Sequence, residues 1–217
     1  MLEIQKSALW FVPLVAVACF CTAPLRATEL RICTVADVSG GAAFLVTAAG
    51  QTVAAEVGAP LGDIAGFETD PAARLEIRCE DGLVITLGPG TQMDAEGLLG
   101  PTDESAGVLL RLWRGITGLV APNPTWSSLG VETELAIASV RSTEWLVEHE
   151  ESVGSAVFVA LGEVGVTIGD TAQVLSAGQG INAPPDGTPQ DIVSWSEERI
   201  ARSRAALGLG WASSDGQ

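Results

Sequence analysis

Basic charge and histidine are what this sequence has least of. Its 217 residues include 11 Lys and Arg against 27 Asp and Glu, a formal net charge of −16. Nucleic-acid binding rests on Lys and Arg at phosphates, so nucleic acid is not an expected partner. Adsorption to an anionic membrane face is disfavoured for the same reason. With one histidine, any Ser-His-Asp triad must use His149, and there is no Gly-x-Ser-x-Gly elbow to present a serine. His149-Glu150 opens a zincin-like string, but Val153 stands where the second histidine belongs. Cys33, Cys79 and His149 show no zinc-ligand spacing, and neither an EF-hand loop nor a phosphate loop after a strand is present. Acidic pairs such as Glu150-Glu151 read as solvated loop charges. The chain reads as non-catalytic, with no metal and no cofactor.

Long apolar runs are missing as well. After the first residues, no stretch offers the roughly 20 uninterrupted apolar residues of a membrane helix. The early run, Ala8 to Ala18, is short, contains Pro13 and follows Lys6, which is the pattern of a secretory leader. Residues 1–27 are expected to be that leader, with cleavage after Ala27. Two alternatives stay open, a lipid anchor at Cys19 in the string Ala16-Val17-Ala18-Cys19 and an uncleaved anchor. Cleavage would remove Cys19 and Cys21 and leave Cys33 and Cys79 in an exported, periplasmic or secreted protein. Two cysteines there point to one disulfide, the alternative being two buried thiols.

From Arg31 onward short apolar segments are punctuated by glycine, which predicts one all-β domain over 28–182. Its antiparallel strands and hairpins would stack as a sandwich or a solenoid-like roll. Ala42–Thr47 and Thr52–Val57 flank Gly50 as a hairpin. In Leu75–Leu87 a two-residue Asp-Gly turn would set Cys79 opposite Val84. A three-residue loop from Glu80 to Gly82 instead pairs Cys79 with Leu83, Ile77 with Ile85 and Leu75 with Leu87, and puts every apolar side chain on one face. Gly82 then takes the left-handed position. Val108–Trp113 and Ile116–Ala121 read as a hairpin around Arg114-Gly115, and Ser155–Leu161 with Val164–Ile168 as a closing hairpin.

The organising stretch is Ile137 to Val147. A strand reaches Val140-Arg141, breaks at Ser142 and resumes with Thr143, Trp145 and Val147 on one buried face and Glu144, Leu146 and Glu148 on the other. A lone cation between apolar strands must find acceptors, so Arg141 reads as a residue that pins a corner, with ligand binding as the alternative.

Ala138-Ser139-Val140-Arg141-Ser142-Thr143-Glu144-Trp145 resembles the signature of the FecR domain, a strand leading into Val-Arg-Gly-Thr and then an aromatic and an aliphatic residue. Other features of that family occur in order between Val35 and Ile181. They are a Gly-rich first hairpin, Gly62-Asp63, the strand–Asp-Gly–strand unit, a hairpin before the Arg motif, and a closing Gly-x-Val hairpin ending in Ala177-Gly178. Ser142 departs from the family's usual glycine, which puts the turn geometry there in question if positive φ is needed. The resemblance implies a periplasmic domain that acts in envelope sensing or signalling by binding another envelope protein or envelope component. FecR-type regulators also carry a sigma-factor-binding segment ahead of a membrane span. No such contact is expected of this chain, since only a handful of residues precede the leader's apolar run. The alternative is a structural or adhesive β module without signalling output.

Residues 183–217 form a Pro/Gly linker, a helix and a tail. Thr188 is expected to cap the helix, with Pro189 at its first position and Gly208 ending it. Arg199, Arg202 and Arg204 lie toward its favourable C-terminal end. The helix is expected either to dock on the acidic body through Ile192, Trp195 and Ile200, or to contact a partner through Trp195, Arg199, Arg202 and Arg204.

Overall fold

The computed structural model describes residues 30–100, 107–122, 128–140 and 143–208. The expected leader with its Cys19 alternative, Arg141, Ser142 and the expected tail beyond Gly208 lie outside these residues, and so does the side chain of Val140. Strands β1 (Cys33–Ser39), β2 (Ala43–Thr47), β3 (Thr52–Ala54), β4 (Ile64–Thr69), β5 (Arg74–Cys79), β6 (Val84–Leu87), β7 (Gln92–Asp94) and β8 (Gly107–Ala121) make up the first half. Then follow β9 (Ser128–Glu132), β10 (Ile137–Val140), β11 (Thr143–Glu150), β12 (Gly154–Leu161), β13 (Glu163–Ile168), β14 (Thr171–Ser176), β15 (Gln179–Ala183), β16 (Val193–Ser194) and the helix α1 (Glu197–Leu207). The fold is all-β with one short C-terminal helix, as the glycine-punctuated pattern predicts.

Two sheets meet in one strand. The first runs β1-β5-β6-β8-β11-β12-β15-β16 and the second β3-β2-β4-β7-β8-β9-β10-β13-β14. Every pairing is antiparallel except β8 with β9. The expected hairpin around Arg114-Gly115 is instead this single 15-residue strand β8. Its first half pairs with β7 and β9, and its second half with β6 and β11. The strand changes sheet at Gly115, where φ is +95°. A Cβ there would lie 2.6 Å from the Thr91 Cα, so both conformation and space call for glycine. Thr91 replaces the interrupted ladder, its Oγ1 accepting from the Ile116 N–H and donating to the Ile116 carbonyl, each at 3.1 Å.

Beyond β8 the chain shuttles between the sheets, with β9 and β10 in the second, β11 and β12 in the first, β13 and β14 in the second, and β15 and β16 in the first. The expected closing hairpin of β12 with β13 is therefore corrected. Gly162 (φ +85°) carries the chain across the gap, and β13 pairs with β10 and β14. The Leu75–Leu87 unit has the apolar register of the three-residue loop. Leu75 faces Leu87, Ile77 faces Ile85, the Cys79 N–H donates to the Leu83 carbonyl at 2.9 Å, and Gly82 has φ +90°.

Inward side chains of both sheets form one core, including Ile77, Ile85, Leu110, Leu119, Trp145, Val147 and Val166. Cys33 and Cys79 face each other across β1 and β5, 3.9 Å apart at Cα, and are joined by a disulfide. β10 lies in one sheet and β11 in the other, so the sheet change falls between Val140 and Thr143, where the corner was expected. Thr143 ties that start across the gap, its hydroxyl donating to the Glu163 carbonyl at 3.1 Å. Trp145 is completely buried. The expectation of one buried face on β11 is corrected too. Leu146 and Glu144 on the other face are also buried, because a second apolar cluster covers Leu146.

Candidate functional site

That second cluster is built by the C-terminal segment. Thr188 does not cap the helix. Residues 193–194 pair with Gln179 and Gly180 as β16, which holds the chain extended until Ser196. Ser196 is the N-cap, its hydroxyl accepting from the Arg199 N–H at 3.3 Å, and Glu197 and Glu198 occupy the first turn. Trp195 sits just before the helix. It lies over Gly180, where a Cβ would come within 2.2 Å of the indole Nε1, and stacks on Phe158 with ring centroids 4.8 Å apart. Glycine on β15 thus makes the slot that the tryptophan fills. At the other end Arg74 donates to the carbonyls of Ala205 and Ala206, both at 2.8 Å, and the Gly208 N–H to that of Arg204 at 2.9 Å. The helix lies on the first sheet through Ile200, Ala206 and Leu207.

The proposed partner-contact residues therefore have different settings. The Arg199 guanidinium lies 3.4 Å from the centroid of the Trp195 ring and donates to Asn182 Oδ1 at 3.1 Å and Glu148 Oε2 at 3.4 Å. Ser203 donates to the other Glu148 oxygen at 2.6 Å. Arg204 is half-buried on the last turn, and Arg202 is exposed.

Beside the helix a groove of about 860 Å³ opens between α1, the β8 bend and the β11–β12 turn. Arg114, Gly115, His149, Ser155, Arg202 and Ala206 are among its walls. His149 shares the inward face of Trp145 and Val147 and is only 6% exposed. Its Nδ1 lies 2.9 Å from Ser155 Oγ, which lies 2.8 Å from Thr133 Oγ1. Thr133 Oγ1 already accepts from the N–H groups of Leu135 (3.2 Å) and Ala136 (3.0 Å). Its hydroxyl also reaches the Ala136 carbonyl at 3.3 Å, so Thr133, Ser155 and His149 Nδ1 form one continuous hydrogen-bonded chain. Among the described residues no hydrogen bond is made to Nε2, and the residue lines the groove. Burial pushes the His149 pKa down, against the smaller opposing pull of Glu134 and Glu151.

This is a link between the sheets, since Thr133 follows β9 of the second and His149 and Ser155 belong to the first. It lacks the features of an activated nucleophile. Ser155 Oγ is buried and engaged on both sides, and no carboxylate orients the free ring nitrogen. Among the described residues no group of three or more His, Cys, Asp or Glu is placed to hold a metal ion. The sequence reading did not assemble Thr133, Ser155 and His149 into one chain of contacts, nor did it single out Arg114. The parity of His149 with Trp145 and Val147 was the available signal that it faces inward.

No family model matches the sequence, and no curated protein does. Two crystal structures of a "putative anti-sigma factor" from Parabacteroides distasonis ATCC 8503 are similar in fold. One aligns with TM-score 0.53 and 19% identity, the other with 0.54 and 18%. Each alignment covers 63% of this chain and 62% of that one, so the chain spans less than two thirds of either structure. What this β-roll shares with those proteins is its fold.

Proposed function

We propose that the chain is a non-catalytic, FecR-like module of the cell envelope that binds another envelope protein or envelope component in sensing or signalling. The observation that carries this reading is the fold likeness to proteins described as anti-sigma factors. The ordered FecR-like features around Ala138–Trp145 support it from the sequence. The Cys33–Cys79 disulfide supports an oxidising compartment such as the periplasm. No helix among the described residues is long and apolar enough to cross a membrane.

The test is transcriptional. Deletion of the gene should change the output of an envelope-responsive regulon, and complementation should need an exported copy. Unchanged transcripts under envelope stress would contradict a signalling role. Unchanged transcripts together with altered surface polymer would favour a structural or adhesive module, and the outer face of the second sheet, which has no roof among the described residues, gives that reading its surface.

A further inference from the structure

We propose that the groove beside α1 binds an amphiphilic carboxylate, a small molecule with one anionic head and an apolar body. This goes beyond the signalling reading and does not depend on it. Other arginines among the described residues are engaged. Arg31 meets Asp81, Arg78 meets Glu76, Arg111 meets Glu132, Arg199 meets Glu148, and Arg74 holds the helix carbonyls. Arg114 and Arg202 have no partner among the described residues, and both line this groove. In a chain with 27 acids, two guanidiniums left without carboxylates at one cavity invite an external anion.

The glutamates of the groove do not satisfy them. Glu148 is held by Arg199 and Ser203, and Glu150 accepts from Ser152 at 3.0 Å. Three arginines against two glutamates leave the lining with one positive charge, which a single carboxylate neutralises. His149 adds a polar ring to the wall, held from behind through Nδ1 by the Ser155–Thr133 chain. Ile116, Val153, Ala156, Pro184 and Ala206 give the groove apolar wall for the body of the ligand, beside the uncharged polar side chains of Asn182, Gln190 and Ser203. A volume of about 860 Å³ is more than a bare oxyanion fills and lies in the range of small-molecule pockets.

Isothermal titration of the whole exported chain with octanoate, octanol and inorganic phosphate tests this. Octanoate should bind, with octanol and phosphate each at least about tenfold weaker. The double variant Arg114→Gln/Arg202→Gln should lose at least about tenfold in octanoate affinity. Both side chains are exposed, so its melting temperature should stay at the wild-type value, and His149→Gln should weaken binding less. Octanol binding as tightly as octanoate would overturn the proposal in favour of apolar adsorption. Phosphate binding as tightly would reduce the groove to a general oxyanion site. Absence of octanoate binding, or unchanged affinity in a folded double variant, would remove it altogether.

Discussion

The outer side of the first sheet presents Ile116, Leu146, Ala156 and Phe158 and is roofed by Trp195 and α1. On the second sheet the equivalent side has no such roof among the described residues. One row across it reads Leu109, Gly130, Ser139, Gly165 and Val174. Leu109 and Val174 are exposed, and a Cβ on Gly130 would lie 3.0 Å from the Leu109 side chain, which leans across it. β8 shows both regimes in one strand. Before Gly115 it alternates, with Val108, Leu110 and Leu112 buried between exposed neighbours. After Gly115, Ile116 to Leu119 are all buried, because core lies on one side and the helix cluster on the other. Cover, rather than strand propensity, decides where large apolar side chains can go.

The largest effect is expected where the cover is anchored. Trp195→Ala should cost about 3–5 kcal/mol in chemical denaturation, the range for emptying a buried aromatic site. A loss below the range for ordinary surface changes would show that the helix contributes nothing to the first sheet. Next comes the staple at the first sheet's edge. Replacing Cys33 and Cys79 together by Ser should cost about 2–4 kcal/mol, by denaturation without reductant. Equal stability of the variant and the oxidised wild type would mean that β1 is held by its ladder and core contacts alone.

A smaller, pH-dependent effect belongs to His149, which joins the two sheets. Its folded-state pKa lies below the unfolded value of 6.5, so the unfolded chain binds the extra proton. The stability this contributes is full above that value and is lost as pH falls from there toward the folded pKa. Thermal melts should therefore show the wild type losing more between pH 8 and pH 5 than His149→Gln does. Identical pH slopes would contradict the depressed pKa. The smallest effect is expected on the bare face, where Val174→Ser should change stability by no more than about 0.5 kcal/mol. A cost comparable to that of Trp195→Ala would show that this face is covered after all.

Local pattern made much of the fold readable. The Leu75–Leu87 register followed from apolar parity, and the disulfide from the two cysteines that the expected leader cleavage would leave. The resumption of the strand at Thr143 was visible in the alternation around Trp145. What escaped was decided by partners distant in sequence. Arg114-Gly115 has the chemistry of a turn, and Thr91 and Gly88, bonding the polar groups of Ile116, hold it as a bend within one strand. Likewise Thr188-Pro189 is a sound helix start locally, but Gly180 on β15 draws Trp195 into its slot and delays the helix to Ser196. The Thr133–Ser155–His149 chain joins residues of different sheets and has no signature in spacing. Arg141, most conspicuous in the sequence, lies outside the described residues.

The central claim is that α1 is a fixed roof which, with the first sheet, forms the groove. Hydrogen exchange resolved along the chain tests it most directly. Amides of residues 200–207 should be protected in the wild type and lose that protection in Trp195→Ala, while β11 and β12 stay protected in both. Helix amides exchanging as freely in the wild type as in an unfolded peptide would contradict the account.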